Sequence, residues 1–502
     1  MKSNRKVKRN LTSSLLTLPV SINFYAWTTD IYEYLAFFSD RRKDLSMCGD
    51  QKLLIRVFML TICTGLTCLA QQRPNEAGEI VYKAPVMLAA LDTISLPDNL
   101  QDSDTAIRNF EFGGQFRLRY HHENNHRRSP TLTNALGLTG TDDNFLLYRT
   151  RLWMDATVNE HLNLYTELLD ADSTLENFPS RGNEVDRLDL HQAYADIAIN
   201  DRLQAKVGRR SLDIGSTRLA GEGEWANTRR AFDGLQVSLE NDQFDLEAYY
   251  LHPLSMQPED FNQTNYDVRL YGINTHQQVN EDITRSYYWL TLELDNTGAR
   301  YDTFGAHSKG ARGNLLYEFE GGVQAGRNPD QTDHLAGLAV IGLGTQLQGP
   351  IPGQLWVYYE WASGSDTPGN GWHHYFPRAH RHLGYIDLFG RRNLNDVNVR
   401  WNYQPTESLE LRVHYHYFSL ANTADVPYNT NMTPFAGLGA NTSGSSSLGH
   451  EIDLLAILTL NERLKFQLGY SHFFAGAYYQ TTPGVPHSGD ARFFYTQMIL
   501  EF

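Results

Sequence analysis

Cysteine is confined to the start of the chain, at Cys48, Cys63 and Cys68, and is absent beyond residue 70. That absence excludes a disulfide framework, a cysteine metal site and a thiol nucleophile from most of the protein. Lysine is nearly as scarce. After residue 70 it occurs only at Lys83, Lys206, Lys309 and Lys465, against 29 arginines. The same stretch holds 33 basic and 53 acidic residues, a net charge of −20 that argues against nucleic acid as a partner, and no DNA-binding motif is present. Long apolar runs are missing as well: none reaches 18 residues after position 70, which excludes transmembrane helices. Mean hydropathy is −0.45. A membrane β-barrel escapes both tests, because only alternate strand residues face lipid.

What is present is alternation. Phe110, Phe112, Phe116, Leu118 and Tyr120 alternate with Glu111, Gln115, Arg117, Arg119 and His121. A period of two places the two sets on opposite faces of a strand. The second strand puts Arg149, Arg151, Asp155 and Thr157 against Leu146, Tyr148, Leu152, Met154 and Val158. Late in the chain, Leu409, Leu411, Val413, Tyr415 and Tyr417 oppose Glu410, Arg412, His414 and His416; Arg400 lies on the polar face of its own strand. Segments of this kind recur about eighteen times between residues 110 and 502, with short turns and long loops in alternation. The reading is an all-β, transmembrane antiparallel barrel of about 18 strands, with short periplasmic turns and long extracellular loops. The 12% aromatic content can furnish its interfacial girdles. The chain ends in Phe502, as the last strand of a bacterial outer-membrane barrel does.

Residues 53–70 carry a weakly basic start, an apolar core over 57–69 and a small-x-small cleavage pattern ending at Ala70. They read as part of a signal peptide over 47–70. Residues 1–46 read as an upstream extension, with translation starting at Met47. Residues 71–109 read as a periplasmic lead-in, with a short helix or plug near 86–91.

The most charged loop follows Gly208-Arg209-Arg210 and carries Arg218-Leu219, Trp225, Asn227 and Arg230-Ala231-Phe232-Asp233-Gly234. These blocks resemble the central motif of the alginate export outer-membrane family. Further agreement comes from Gly449-His450-Glu451-Ile452-Asp453-Leu454, Leu460-Asn461-Glu462-Arg463-Leu464 and Leu468-Gly469-Tyr470-Ser471-His472-Phe473-Phe474-Ala475-Gly476. The resemblance covers roughly 110–502. Two departures stand out: Arg210 replaces a Gln common in the family, and Ile214-Gly215-Ser216 replaces a Tyr-Gly-Asp-like turn.

The resemblance implies a non-enzymatic channel in the bacterial outer membrane. It would passively export an anionic polysaccharide, alginate or a related polyuronate, through an arginine-rich lumen. Periplasmic export and synthase components would be its partners, with outer-membrane lipid around it. No cofactor and no metal are expected. The expected lumenal path is Arg117, Arg119, Arg149, Arg151, Arg209, Arg210, Arg218, Arg230, Asp233, Arg400 and Arg412. Trp225, Trp372, His374, Tyr375 and Arg378 are the expected loop constriction. Inward acids (Glu111, Asp155, Glu167, Asp189, Glu410, Glu451, Asp453) make the lumen mixed in sign, and an anion or sugar uptake porin is the alternative. Four histidines in 373–382 could hold a metal, but their spacing fits none of the stronger zinc patterns, so a polar-aromatic constriction is preferred. A barrel hydrolase is the remote alternative. Ser471 and His472 are neighbours on one strand and so point to opposite faces.

Overall fold

The structure, a computed structural model, describes residues 109–126, 138, 140–435, 444–485, 487 and 489–502. The signal peptide, the upstream extension and all but the last residue of the lead-in lie outside these residues.

The strands in order are β1 (Asn109–Asn124), β2 (Asp143–Asn159), β3 (Leu162–Thr174), β4 (Asp186–Ala198), β5 (Leu203–Arg210), β6 (Phe232–Glu240), β7 (Asp245–Ser255), β8 (Gln263–Thr264), β9 (Val268–Asn280) and β10 (Ile283–Leu294). They continue with β11 (Ala299–Arg312), β12 (Leu315–Arg327), β13 (Asp333–Leu347), β14 (Gly353–Ala362), β15 (Leu394–Thr406), β16 (Leu409–Leu420), β17 (Ser447–Thr459), β18 (Leu464–Ala475) and β19 (Ala491–Glu501). Strand β8 is a two-residue pairing on the end of β7. The other eighteen pair antiparallel with their sequence neighbours, and β1 pairs with β19 to close the barrel. Phe502 completes the seam by exchanging backbone hydrogen bonds with Gly114, at 2.7 and 3.0 Å. Closure removes every sheet edge, which a lipid environment demands.

The alternation sorts the side chains. Phe112, Phe304, Ile341, Leu343, Val357, Ile452, Leu454 and Leu468 stand exposed on the outer surface, where lipid would take up their apolar area. Arg117, Arg119, Arg149, Glu360, His416 and Asp453 are buried on the inner face. Turns of a few residues join β2 to β3, β9 to β10, β11 to β12 and β15 to β16, all at the end where the chain enters β1 and leaves β19. The opposite end carries loops 211–231, 363–393 and 421–435.

Those loops are the second feature of the fold. They turn into the barrel and supply much of its buried apolar material. One cluster joins Leu383, Ile386, Phe389, Val426, Tyr428 and Phe435 to Phe418, Phe473 and Phe493 of the wall. Another joins Leu212, Ile214, Leu219, Trp372 and Tyr375 to Phe232, Leu290 and Tyr301. Strand β5 ends at Arg210, three residues earlier than alternation suggests, because Ser211 turns inward and its N–H bonds the Gln192 side chain at 2.9 Å. Strand β4 carries a bulge beside Glu167, where the pairing skips His191. The skipped residue breaks the two-residue period. Asp189 therefore lies by Arg209 and the backbone N–H of Asn262, away from the lumen where alternation had put it.

Candidate functional site

A cavity of about 1090 Å³ follows the inner wall. At the short-turn end it is lined by Glu281 and Asp282, and at the long-loop end by His126, Arg181 and Asn183. Its lining also holds Arg412, Arg400 and Arg119 on the wall and Arg381, Arg378 and Arg230 on the loops. Among the described residues its lining holds nine arginines and lysines, eight carboxylates and six histidines. The sign is mixed, so what matters is which charges are already spoken for.

Most are. Arg218 is fully buried and reaches Glu318 at 2.6 Å, Glu320 at 3.2 Å and Glu360 at 3.3 Å. Burial alone would lower its pKa, but the three carboxylates outweigh it and push the value well above the usual arginine range. Arg391 pairs with the same Glu360, and Arg400 stands 3.6 Å from it. Arg218 thus pins loop 211–231 to β12 and β14.

A second knot fixes the far end of that loop. Arg149 bonds the Glu224 carboxylate. Arg117 donates to the backbone oxygens of Glu224 and Ala226, both at 3.0 Å, and to the Asn227 side chain. Arg229 pairs with Glu167, Glu222 and Glu224, and Arg151 with Glu167 at 2.7 Å. Partial burial would raise the pKa of Glu224, but Arg149, Arg229 and Arg117 reverse this and hold it well below the carboxylate range.

Four rings and a guanidinium stand together on the cavity lining. Arg119 lies 3.6 Å from the ring centroid of Trp225, and His380 stacks on that ring at 3.7 Å and 5°. Groups so close cannot share one face, so Trp225 is sandwiched between them. His380 in turn stacks on Tyr385 at 4.8 Å, whose ring is 5.6 Å from that of His414. The column ties wall, loop 211–231 and loop 363–393 together. Arg230 braces the same loops through the backbone oxygens of Gly221, Phe376 and Pro377. Burial, then Arg378, pushes its pKa down to about 10.

One arginine is different. Arg381 sits in the four-residue helix α1 (Ala379–His382) and lines the cavity. It is exposed, and its side chain makes no hydrogen bond or ion pair among the described residues. Partial burial, then Arg378, lowers its pKa. Nothing in the sequence marks it as the one arginine of the cavity lining without such a partner among the described residues.

Several expected positions are elsewhere. Arg209 and Asp233 are not in the lumen. Arg210 and Phe232 point inward, so their chain neighbours must point outward. There Arg209 pairs with Asp233 at 3.0 Å and caps the Asn262 carbonyl, on the same face as exposed Val207 and Leu235. Arg210 is buried against the inner wall beside Tyr249 and Glu247 and does not line the cavity. Gly208 and Gly234 face each other across β5 and β6 with φ of +126° and +151°. A Cβ there would stand 2.3 and 2.1 Å from the carbonyl oxygens of Ala193 and Tyr250.

Trp372, His374 and Tyr375 do not line the cavity either; they are anchors. Trp372 is fully buried in the inner apolar cluster. His374 bonds the Thr430 carbonyl at 3.0 Å, and the Tyr375 hydroxyl meets the Tyr301 carbonyl at 2.7 Å. Aromatic side chains in a loop fill the nearest apolar gap before they line a pore. The histidines of 373–382 disperse: His373 stacks on Tyr301 and His382 bonds the Ser216 carbonyl. Ser471 points inward beside Asp453, and His472 points outward toward Asp490.

Sequence reading set His414 and His416 on a polar strand face and Asp453 among the inward acids but did not group them; their ligand-type atoms lie within 4.8 Å of one another. The available signal was His-x-His on β16 facing Glu-x-Asp on β17, both in phase with the lumen.

The family model described as alginate export matches residues 108–493. No curated protein matches the sequence. Among solved structures, OccAB1 of Acinetobacter baumannii aligns with a TM-score of 0.55 at 11% identity, covering 80% of this chain and 99% of its own. OccD3 (OpdP) of Pseudomonas aeruginosa gives 0.55 at 11%, covering 80% and 94%. The outer membrane protein OprD from Pseudomonas aeruginosa gives 0.52 at 11%, covering 80% and 96%. At such identities these likenesses speak to the barrel fold alone.

Proposed function

The chain belongs to the alginate export family, and on that premise we propose that this outer-membrane channel passively releases an anionic polysaccharide, alginate or a related polyuronate. The observation that carries the reading is Arg381, an unpaired guanidinium on a cavity lining that Arg400, Arg412, Arg230 and Arg119 share. A uronate carboxylate fits a guanidinium in bidentate fashion. It must not bind tightly, because a polymer in transit needs weak, repeated contacts. The surrounding carboxylates supply that restraint: Arg412 shares its charge with Glu410 at 2.7 Å, and Arg400 with Glu360. The ring faces of Trp225, His380 and Tyr385 suit the apolar faces of pyranose rings. No covalent step belongs to this reading, and periplasmic export and synthase components are its partners.

The near balance of cations and carboxylates favours one second reading, a porin for small anionic or sugar-like solutes. Efflux separates the two. Liposomes carrying the full chain are loaded with size-graded oligouronates and matched neutral oligosaccharides. Export of a polyuronate predicts that long oligouronates leave faster than neutral chains of equal length. Release of short solutes only, without regard to charge, would support the porin.

A further inference from the structure

The inner wall holds a group of side chains whose contacts with loop 363–393 leave several of their polar atoms unused. His414 and His416 project from β16, and Asp453 and Glu451 from β17, all buried. Asp396 on β15 stands behind His416. Its carboxylate lies 2.9 Å from His416 Nδ1 and accepts the Asn398 amide at 2.8 Å. A carboxylate at Nδ1 holds the proton there and leaves the Nε2 lone pair facing forward. In front of that lone pair, 3.9 Å away, is Asp453 Oδ2, which is buried and has no hydrogen-bond partner among the described residues. Two acceptors therefore face each other across a gap too long for a hydrogen bond. The gap is about half an ångström wider than the roughly 3.4 Å between two ligands of a tetrahedral zinc with bonds of about 2.0–2.1 Å.

Other features point the same way. His414, steadied by Asn402 at 3.2 Å, supplies the third ligand atom within 4.8 Å. Glu451 Oε2 is likewise buried without a partner. The loop closes over the carboxylates with backbone: Ile386 N–H donates to Glu451 at 3.0 Å and Tyr385 N–H lies 3.4 Å from Asp453. That approach requires Gly384, whose φ is +81° and whose Cβ would stand 2.5 Å from Glu451.

We propose that His414, His416 and Asp453, with Glu451 in reserve, form a binding site for a divalent transition-metal ion. Two imidazoles and a carboxylate suit zinc better than calcium or magnesium, which prefer all-oxygen sets. A tetrahedral ion holds its ligands about 3.4 Å apart, so binding draws β16 and β17 side chains inward by about an ångström. Because Glu451 and Asp453 also hold Tyr385 and Ile386, the ion would clamp loop 363–393 to the wall. Asp396 is a positioning residue that orients His416.

The test uses the full chain as a folded barrel, stripped with chelator and titrated with Zn²⁺ alone, with Co²⁺ as a spectroscopic probe. The expected result is about one zinc per chain and the visible absorption of a low-coordinate cobalt site. Both vanish in H416Q and in D453N. D396N is expected to weaken binding about 10–100-fold without abolishing it. Zinc should also slow proteolytic cleavage within 377–390 in the parent and not in D453N. Heat-modifiable gel mobility verifies that each variant is a closed barrel. No stoichiometric zinc in the parent, or equal zinc in parent and H416Q/D453N, would overturn the proposal.

Discussion

Arg218 shows how little a lumenal arginine need have to do with a substrate. It faces Glu318, Glu320 and Glu360, and its removal leaves buried carboxylates uncompensated. Arg218→Ala is expected to cost about 3–5 kcal/mol, measured as a lowered denaturant midpoint in detergent. The pH dependence belongs to Glu224. Its pKa in the folded protein is held below its unfolded value, so the stabilisation it brings is complete above the ordinary carboxylate value of about 4.3. It is lost as pH falls through the depressed value. Channel current should thus be quiet at neutral pH and become noisy as acidification frees loop 211–231. Glu224→Gln should show that noise at neutral pH. An unchanged, quiet Glu224→Gln channel would contradict the assignment. At this scale the alternation within β1 and β2 set Arg117, Arg119, Arg149 and Arg151 on one face, whereas Arg209, read into the lumen beside Arg210, faces outward. The sequence could not tell which were neutralised, because Arg218 lies 100 residues from Glu318 and 142 from Glu360.

Strands were legible one by one; loops were not. Each strand announces itself through alternation, and the failures come where the period breaks. The bulge at His191 moved Asp189 off the inner face, and the early end of β5 sent Ser211 inward. Loop 363–393 gives no periodic signal, since its residues follow the apolar gaps they fill. Trp372 and Tyr375 read as constriction residues for that reason and proved to be anchors. The loops make a direct prediction: replacing 365–391 with a short Gly-Ser linker should raise single-channel conductance several-fold while the barrel still assembles. Gly208→Ala and Gly234→Ala act on the elements beneath. Each forces a side chain into a positive-φ position against a neighbouring carbonyl. Each is expected to cost roughly 1–3 kcal/mol, read out as slower appearance of the heat-modifiable folded band.

As a whole molecule, the protein is an 18-strand closed barrel whose interior is built from its own loops. The outer surface needed only alternation and the terminal Phe502 to be foreseen, because lipid imposes one rule on every strand. The inner surface answers to many partners at once, and only assembly shows that Arg381 is left unpaired beside a column of Arg119, Trp225, His380 and Tyr385. The central claim is that this guanidinium engages uronate carboxylates in passage. The direct measurement is single-channel current in planar bilayers with oligouronate added on the short-turn side, for the parent and for Arg381→Ala. The account predicts brief, resolvable current blocks whose dwell time falls about tenfold in Arg381→Ala, with open conductance little changed. Equal blocking of both channels, or blocking by neutral oligosaccharides as strong as by oligouronates, would contradict it.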